Sequence, residues 1–164
     1  AVKWLMYDAS IRIPLIIYDP RKSNPSSVDA MVLNIDVSKS ILEFAGLQAP
    51  KNYQGISLEP FLKKGNIPST RKAILIEHLW KLPEIPSSEG IRTARWKYFR
   101  YRLIKAPEEL YDLRNDPLET INLARNTKYK KVIDKLRLLT VARSEKFFSE
   151  KLIPDEPEVE GMKF

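Results

Sequence analysis

The sequence predicts an α/β fold that becomes α+β in its C-terminal part, where a small antiparallel β-sheet is packed by a C-terminal helix. Three features lead to this prediction. Ile13 to Tyr18 is apolar on both sides, which is typical of a strand covered on both faces in a parallel sheet. Lys97 to Leu103 alternates with a period of two, as a half-buried antiparallel strand does. Farther on, apolar residues recur at helical spacing from Tyr129 to Phe147.

The first apolar strand needs partners that the sequence does not supply. A single strand cannot bury itself, and Met31 to Ile35 is the only other candidate nearby. We therefore infer a larger α/β sheet whose remaining strands lie outside the 164 residues, so that the chain is the tail end of a longer protein. Asp36 is predicted to cap a short helix, Val37 to Ala45, and Gly46 is predicted to end it.

The domain boundary is predicted within residues 50–72, an irregular stretch in which proline and glycine recur. On this interpretation, residues 1–49 are the end of one domain and residues 50–72 are a connector. Residues 73–164 are then a C-terminal antiparallel subdomain with a terminal helix. The subdomain opens with a strand at Ala73 to Glu77.

The rest of the subdomain is predicted to be a meander under a helix. A strand at Ile91–Ala94 returns through a tight connection at Arg95-Trp96, and a later strand occupies Leu110 to Leu113. The helix is expected to begin near Asn126-Thr127. We expect its apolar stripe to cover the sheet face that bears Phe99, Tyr101 and Leu103.

Composition narrows the classes of function. The net charge of +7 is compatible with an anionic partner. Along the strand, however, Arg100 and Arg102 lie on the face opposite to Tyr101, so the cations and aromatic rings do not form one surface. No nucleic-acid binding is therefore expected. No apolar run reaches about 18 residues, so no membrane span is expected. The sequence has no cysteine, and no Asp, Glu and His residues cluster at metal-ligand spacing, so no metal site is predicted in this chain.

Four blocks of sequence carry a resemblance to a known family, and they lie in order at residues 3–20, 32–47, 54–62 and 90–124. The first contains K-x-x-x-Y-D-x-x-x-R-x-P, and the last reads GIRTARWKYFRY followed by ELYDLRNDPLETINLA. Together they resemble the C-terminal portion of the sulfatases, which belong to the alkaline-phosphatase-like superfamily. The resemblance implies that residues 1–49 are the edge of that superfamily's catalytic α/β sheet.

The first block implies one catalytic residue and two supporting ones. Lys3 matches a lysine that reaches the substrate sulfate in this family, where a compact cation offsets charge on the sulfate oxygens. Asp8 and Arg12 are interpreted as support for the sulfate site, and they could pair with each other if the segment is helical. The family usually has Glu where this chain has Asp8.

A second group of candidates lies after the strand that begins at Ala73. His78 is the only histidine, and it lies where sulfatases place substrate-contacting residues. It is predicted to bind substrate by donating a hydrogen bond to sugar hydroxyls or sulfate. Trp80 is predicted to stack on a sugar ring.

The resemblance also implies groups that this sequence lacks. Sulfatases use a formylglycine made within a C/S-x-P-S-R motif, beside a calcium ion, and neither that motif nor the calcium ligands occur here. The chain alone is therefore expected to be inactive without the missing N-terminal catalytic portion.

The remaining expectations follow from the same resemblance. The substrate is expected to be a sulfated carbohydrate, and the location periplasmic, secreted or lysosomal. Two alternatives stay open: a phosphoester or phosphonate hydrolase of the same superfamily, and a non-catalytic basic module that binds sulfated glycan or nucleic acid.

Overall fold

A computed structural model describes residues 5–20, 27–62, 71–80, 85–102 and 104–149, with side chains as far as residue 145. The chain divides into two compact units. One unit comprises Ala1–Ile13 and Ala73–Phe164, so the described N-terminal residues belong with the C-terminal sheet. The other unit is Pro14–Lys72.

The first unit is built on a four-stranded antiparallel meander in the order β1-β2-β3-β4. Its strands are β1 (Ala73–His78), β2 (Ser88–Thr93), β3 (Trp96–Tyr101) and β4 (Glu109–Asp112). The predicted meander is therefore confirmed, with boundaries shifted by a few residues.

The long helix follows the sheet as predicted. Asn126 accepts a hydrogen bond from the Lys128 N–H at 3.0 Å and so caps a 3-10 turn, Thr127–Tyr129. The helix α4 (Lys130–Ser149) continues directly from this turn. None of the described helices is both long and apolar enough to cross a membrane.

The helix covers the face of the sheet opposite to the one predicted. Ile133 and Leu136 of α4 are buried in a core cluster with Ile91 of β2, Tyr98 of β3 and Leu110 of β4. Tyr98 is fully buried there, and its hydroxyl donates to Glu108. The expectation that α4 would cover the face of Phe99 and Tyr101 is therefore wrong; Leu103 lies outside the described residues.

The N-terminal segment covers the other face of the sheet. It forms one helical turn, α1 (Asp8–Ile11), and its Met6 is buried against Phe99 and Tyr111. Tyr7 packs edge-on against Phe99, with ring centroids 5.6 Å apart. Both faces of β3 are thus apolar and covered, so its alternation could not tell which face the helix would take.

The described residues of the second unit form two helices, α2 (Asn34–Phe44) and α3 (Glu59–Leu62). The α2 helix begins before the predicted Val37, so Asp36 lies in its first turn, where its carboxylate accepts the Leu33 N–H at 2.7 Å. Gly46 ends the helix as predicted, in the left-handed region with φ of 74°.

A buried ion pair holds the second unit together. Both oxygens of Asp36, which is fully buried, bind the guanidinium of Arg71 at 2.6 and 2.7 Å. Asp36 also accepts the Ile56 N–H at 2.8 Å. Burial alone would raise the pKa of Asp36, but the bonds from Arg71 and the two backbone N–H groups lower it below its usual value.

The predicted strand at Ile13 to Tyr18 is not formed. These residues are neither helix nor strand, and the described part of Pro14–Lys72 contains no strand that could pair with them. Ile16 is 90% exposed and Tyr18 83%. Residues 31–35 likewise form no strand, since the last two belong to α2. A strand requires a hydrogen-bonded neighbour, and none of the described residues provides one here.

Candidate functional site

Residues 5–13 of the first motif block belong to the first unit, and Met6 to Asp8 contact its sheet. Tyr7 accepts the N–H groups of Ser10 and Ile11, which sets the single turn of α1. Arg12 closes the turn by donating its N–H to the Asp8 carbonyl at 2.8 Å. Lys3, the predicted catalytic residue, lies outside the described residues.

Asp8 is the centre of an ion network that joins the N-terminal segment to the sheet. Arg92 of β2 binds both carboxylate oxygens of Asp8, with nitrogen–oxygen distances of 2.9 and 3.1 Å. Lys97 of β3 forms a second ion pair with Asp8. The same ammonium binds Glu119 at 2.7 Å. We call these four residues the Asp8 network.

The Asp8 network is largely withdrawn from water. The Lys97 side chain is 1% exposed and that of Glu119 is 2% exposed, while Asp8 is 13% exposed. Burial would raise the pKa of Asp8, but hydrogen bonds from Arg92 and Lys97 outweigh it and hold the pKa below its usual value. The network contains two cations and two carboxylates, so the buried charges are paired, which offsets the free-energy cost of removing them from water.

Glu119 also holds the main chain of the N-terminal segment. Its second carboxylate oxygen accepts the Asp8 N–H at 2.6 Å, so it satisfies an unpaired donor at the start of α1. Glu119 sits in a turn whose N–H groups at Thr120 and Ile121 donate to Asp116. The Asp116-Pro117 pair in the sequence is what sets this turn.

Tyr7 is fixed by a second cluster on the same face of the sheet. The hydroxyls of Tyr7, Tyr101 and Tyr111 all donate to the carboxylate of Glu109, at 2.9 Å for the first two. Burial first, and then the bonded carboxylate, raises the pKa of all three phenols, so they remain protonated donors at neutral pH. Consecutive residues 7 and 8 are thus anchored to different strands.

The two predicted support residues line one surface cleft, although they do not pair with each other. The segment is helical as the pairing required, but the Asp8 carboxylate turns to Arg92 and Lys97 instead. Asp8 and Arg12 line a cleft of about 600 Å³ together with Ser10 and the exposed Leu118. Arg12 is an exposed residue.

The two predicted substrate contacts lie at the end of β1. His78 is half-buried and is paired in register with Ser88 of β2. Trp80, two residues on, is 62% exposed. Within the described residues, no three of His, Asp and Glu stand close enough to hold a metal ion.

Sequence reasoning missed the partners of Asp8. Lys97 and Glu119 were within the last motif block but carried no assigned role, and Arg92 was weighed as part of a cationic surface. All three lie in the last block, in its G-I-R-T, W-K-Y and D-P-x-E stretches, whereas Asp8 lies in the first block. Charged residues of opposite sign in these two blocks were the available signal, because buried charges require partners.

Comparison with known proteins identifies the family. The family model described as N-sulphoglucosamine sulphohydrolase, C-terminal, matches residues 2–145. The chain belongs to the sulfatase family. It corresponds to the C-terminal portion of these proteins, as the motif blocks predicted, and the fold is that of the same portion of solved sulfatases.

The relatives are much longer than this chain. Arylsulfatase K of Xenopus laevis is 32% identical over 129 residues, which cover 74% of this chain and 24% of the relative. An N-acetylglucosamine-6-O-sulfatase of Bacteroides thetaiotaomicron is 31% identical over 134 residues, which cover 79% of this chain and 24% of the relative. The chain therefore spans about a quarter of the length of these curated relatives.

Solved structures show the same partial coverage. BT4656, solved with its substrate D-glucosamine-2-N,6-O-disulfate, has a TM-score of 0.62 and 28% identity, over 75% of this chain and 25% of that one. A phosphonate monoester hydrolase from Silicibacter pomeroyi has a TM-score of 0.60 at 20% identity, over 73% of this chain and 26% of that one. The second likeness shows the fold alone.

Proposed function

We propose that this chain is the C-terminal portion of a hydrolase that cleaves sulfate esters on a carbohydrate. The observation that supports this most directly is the Asp8 network, which joins the first and the last motif blocks of the sulfatase family through buried charges. The network fastens to the sheet the segment that carries Lys3. The substrate-bound relative BT4656 and the N-acetylglucosamine-6-O-sulfatase support a sulfated sugar as the substrate class.

In this proposal Lys3 is the catalytic residue that this chain contributes. Its ammonium contacts a sulfate oxygen and offsets negative charge as the ester bond breaks. Asp8 supports it by anchoring the segment, and Arg12 lies in the neighbouring cleft as a second cation. His78 and the exposed Trp80 supply contacts to the sugar.

The nucleophile and metal belong to residues outside this chain. The described residues offer no cluster that fits calcium, and the sequence has no C/S-x-P-S-R motif for formylglycine. We therefore propose that both are supplied by an N-terminal catalytic portion, and that this chain alone is inactive. The periplasm, the extracellular space or the lysosome is the proposed location, as the family resemblance implies.

The proposed domain division keeps residues 1–49 as the end of the catalytic domain, 50–72 as a connector and 73–164 as the subdomain. Exposed apolar side chains support a missing partner for the first part: Ile16 is 90% exposed, and Ile41 on α2 is 60% exposed. The break between compact units at Lys72 and Ala73 supports the second boundary. Ala1–Ile13 groups with the C-terminal part instead, and the unit Pro14–Lys72 continues through the first boundary, which rests on the sequence.

The test is substrate profiling of the full-length parent protein. We expect hydrolysis of aryl and sugar sulfate esters in preference to phosphonate and phosphate esters, and an upstream C/S-x-P-S-R motif. Lys3→Ala should lower turnover by about 10²-fold or more. The matched control is Lys131→Ala, which removes an exposed lysine from α4 and should leave turnover unchanged.

Three results would each reject part of this proposal. Preferential cleavage of phosphonate esters would favour the hydrolase that shares this fold. Absence of the upstream motif would favour a non-catalytic basic module. Near wild-type turnover in Lys3→Ala would remove Lys3 from the site.

A further inference from the structure

We propose that Glu119 is a positioning residue, which sets the place of the Lys3-bearing segment in the parent enzyme and so controls turnover. The inference rests on the proposed function, because Lys3 acts only if that function is right. Glu119 itself would touch neither the substrate nor the reacting atoms.

The first argument is that one carboxylate controls both the main chain and the side chain of Asp8. One oxygen of Glu119 accepts the Asp8 N–H at 2.6 Å. The other binds the Lys97 ammonium at 2.7 Å, and that ammonium also binds the Asp8 carboxylate. Glu119 therefore acts on Asp8 in two ways: directly, through the Asp8 N–H, and indirectly, through the Lys97 ammonium that both carboxylates bind.

The second argument is that two energetically unfavourable features, a strained backbone and a buried charge, accompany the carboxylate at position 119. Glu119 has a φ of 56°, a left-handed conformation that a glycine would adopt without steric strain. Its side chain is also 2% exposed, so a charge has been withdrawn from water. A turn that served only to reverse the chain would need neither feature.

The third argument is the short path along the chain from Asp8 to Lys3. Asp8 follows Lys3 by five positions along the chain, and five such steps can span at most about 18 Å. Met6 and Tyr7 lie between the two positions and are held on the sheet by other contacts, so loss of the Asp8 anchor is expected to misplace the lysine rather than to release it. A misplacement of about 1 Å at a catalytic group can cost about 10²-fold in rate.

The experiment uses the full-length parent enzyme carrying its formylglycine, with 4-nitrophenyl sulfate as the substrate. Glu119→Gln keeps an oxygen for the Asp8 N–H but loses the charge that binds Lys97. We expect kcat to fall about tenfold or more while KM changes by less than about threefold, because the lost effect belongs to the transition state.

The matched control is Glu108→Gln. Glu108 is a neighbouring carboxylate on the α4 side of the sheet, where it binds Arg137 at 2.9 Å and Tyr98 at 2.8 Å. Assayed well below both melting temperatures, this variant should keep kcat within about twofold of wild type. Equal losses of kcat in the two variants would show a merely structural role for Glu119 and overturn the inference.

A double-mutant cycle tests whether Glu119 acts through Lys3. In a Lys3→Ala background, Glu119→Gln should cause little further loss of kcat, since the group that it positions is gone. If the full tenfold loss persists in that background, Glu119 acts by another route and the inference is wrong.

Hydrogen exchange separates failure of this inference from failure of the proposed function. Amides in residues 7–12, including those of Ser10 and Arg12, should exchange faster in Glu119→Gln than in Glu108→Gln. A parent that cleaves no sulfate ester would reject the proposed function, yet faster exchange would still support the anchoring by Glu119. Equal exchange in both variants would overturn the inference whatever the parent cleaves.

Discussion

Lys97→Met tests the energetic importance of the Asp8 network. The Lys97 side chain is 1% exposed and binds Asp8 and Glu119 at once. Methionine has a similar length and fills the space, but it leaves one excess negative charge among the buried groups. Asp8 keeps Arg92, whereas Glu119 loses its only cation among the described residues. Removing one partner from a buried ion pair costs about 3–5 kcal/mol, and we expect a loss in that range.

The assay is equilibrium urea unfolding of the parent protein, with the midpoints of variant and wild type compared. Arg95→Met is the matched control. Arg95 also pairs with a carboxylate, at 2.7 Å from Asp112, but its own side chain is 48% exposed. Asp112 keeps the hydrogen bonds from Asn115 and the Arg114 N–H when Arg95 is lost. We expect a clearly smaller shift in the midpoint for Arg95→Met than for Lys97→Met.

A second variant guards against an accidental effect of methionine at this position. Asp8→Asn removes the other end of the same ion pair and should destabilise the same transition. If Lys97→Met and Arg95→Met shift the midpoint equally, then burial does not govern the strength of these pairs. The physical reasoning about the Asp8 network would then be refuted.

The other predictions concern pH. Burial raises the pKa of Glu77, as does Glu89 directly across from it, while Ser144 opposes the shift. Because the pKa of Glu77 is higher in the folded state than in the unfolded state, its contribution to stability is fully present below the usual glutamate pKa. That contribution is lost as the pH rises through the folded-state pKa. Glu77→Gln, measured by thermal melting from pH 4 to 8, should flatten that decline and raise stability at neutral pH; an unchanged slope would contradict this. Asp36 has a lowered pKa, so its stabilisation is present above the usual aspartate pKa and is lost as pH falls through the folded value. Asp36→Asn should remove this acid sensitivity in melts from pH 2 to 6, and a persistent acid transition of wild-type size would argue against it.

Much of the first unit could be predicted from the sequence because its signals are local. The alternation at β3 and the start of the helix near Asn126 each depend on neighbouring residues. The strand expected at Ile13 to Tyr18 was wrong for the converse reason. Its apolar pattern was read correctly, but a strand also requires a partner, and the described chain has none.

The candidate site was predicted only in part. Asp8 was found through its motif, yet its partner was expected four residues away and instead lies 84 residues away at Arg92. The contact from the Asp8 N–H to Glu119 joins residues 111 apart. Spacing along the chain carries no information about such pairs, because they form only when the N-terminal segment packs on the finished sheet.

By itself, the sequence determined the family, the antiparallel meander and the start of the long helix, since motifs, periodicity and caps are written in consecutive residues. Only the tertiary structure decided which face of β3 each neighbour would cover, because both faces are apolar and either would bury a helix. It also decided which carboxylates would hold Lys97. A buried charge needs a partner of opposite sign that is close in space, whatever its distance along the sequence. The pairing of Lys97 with Asp8 and Glu119 holds the N-terminal segment on which the proposed chemistry depends.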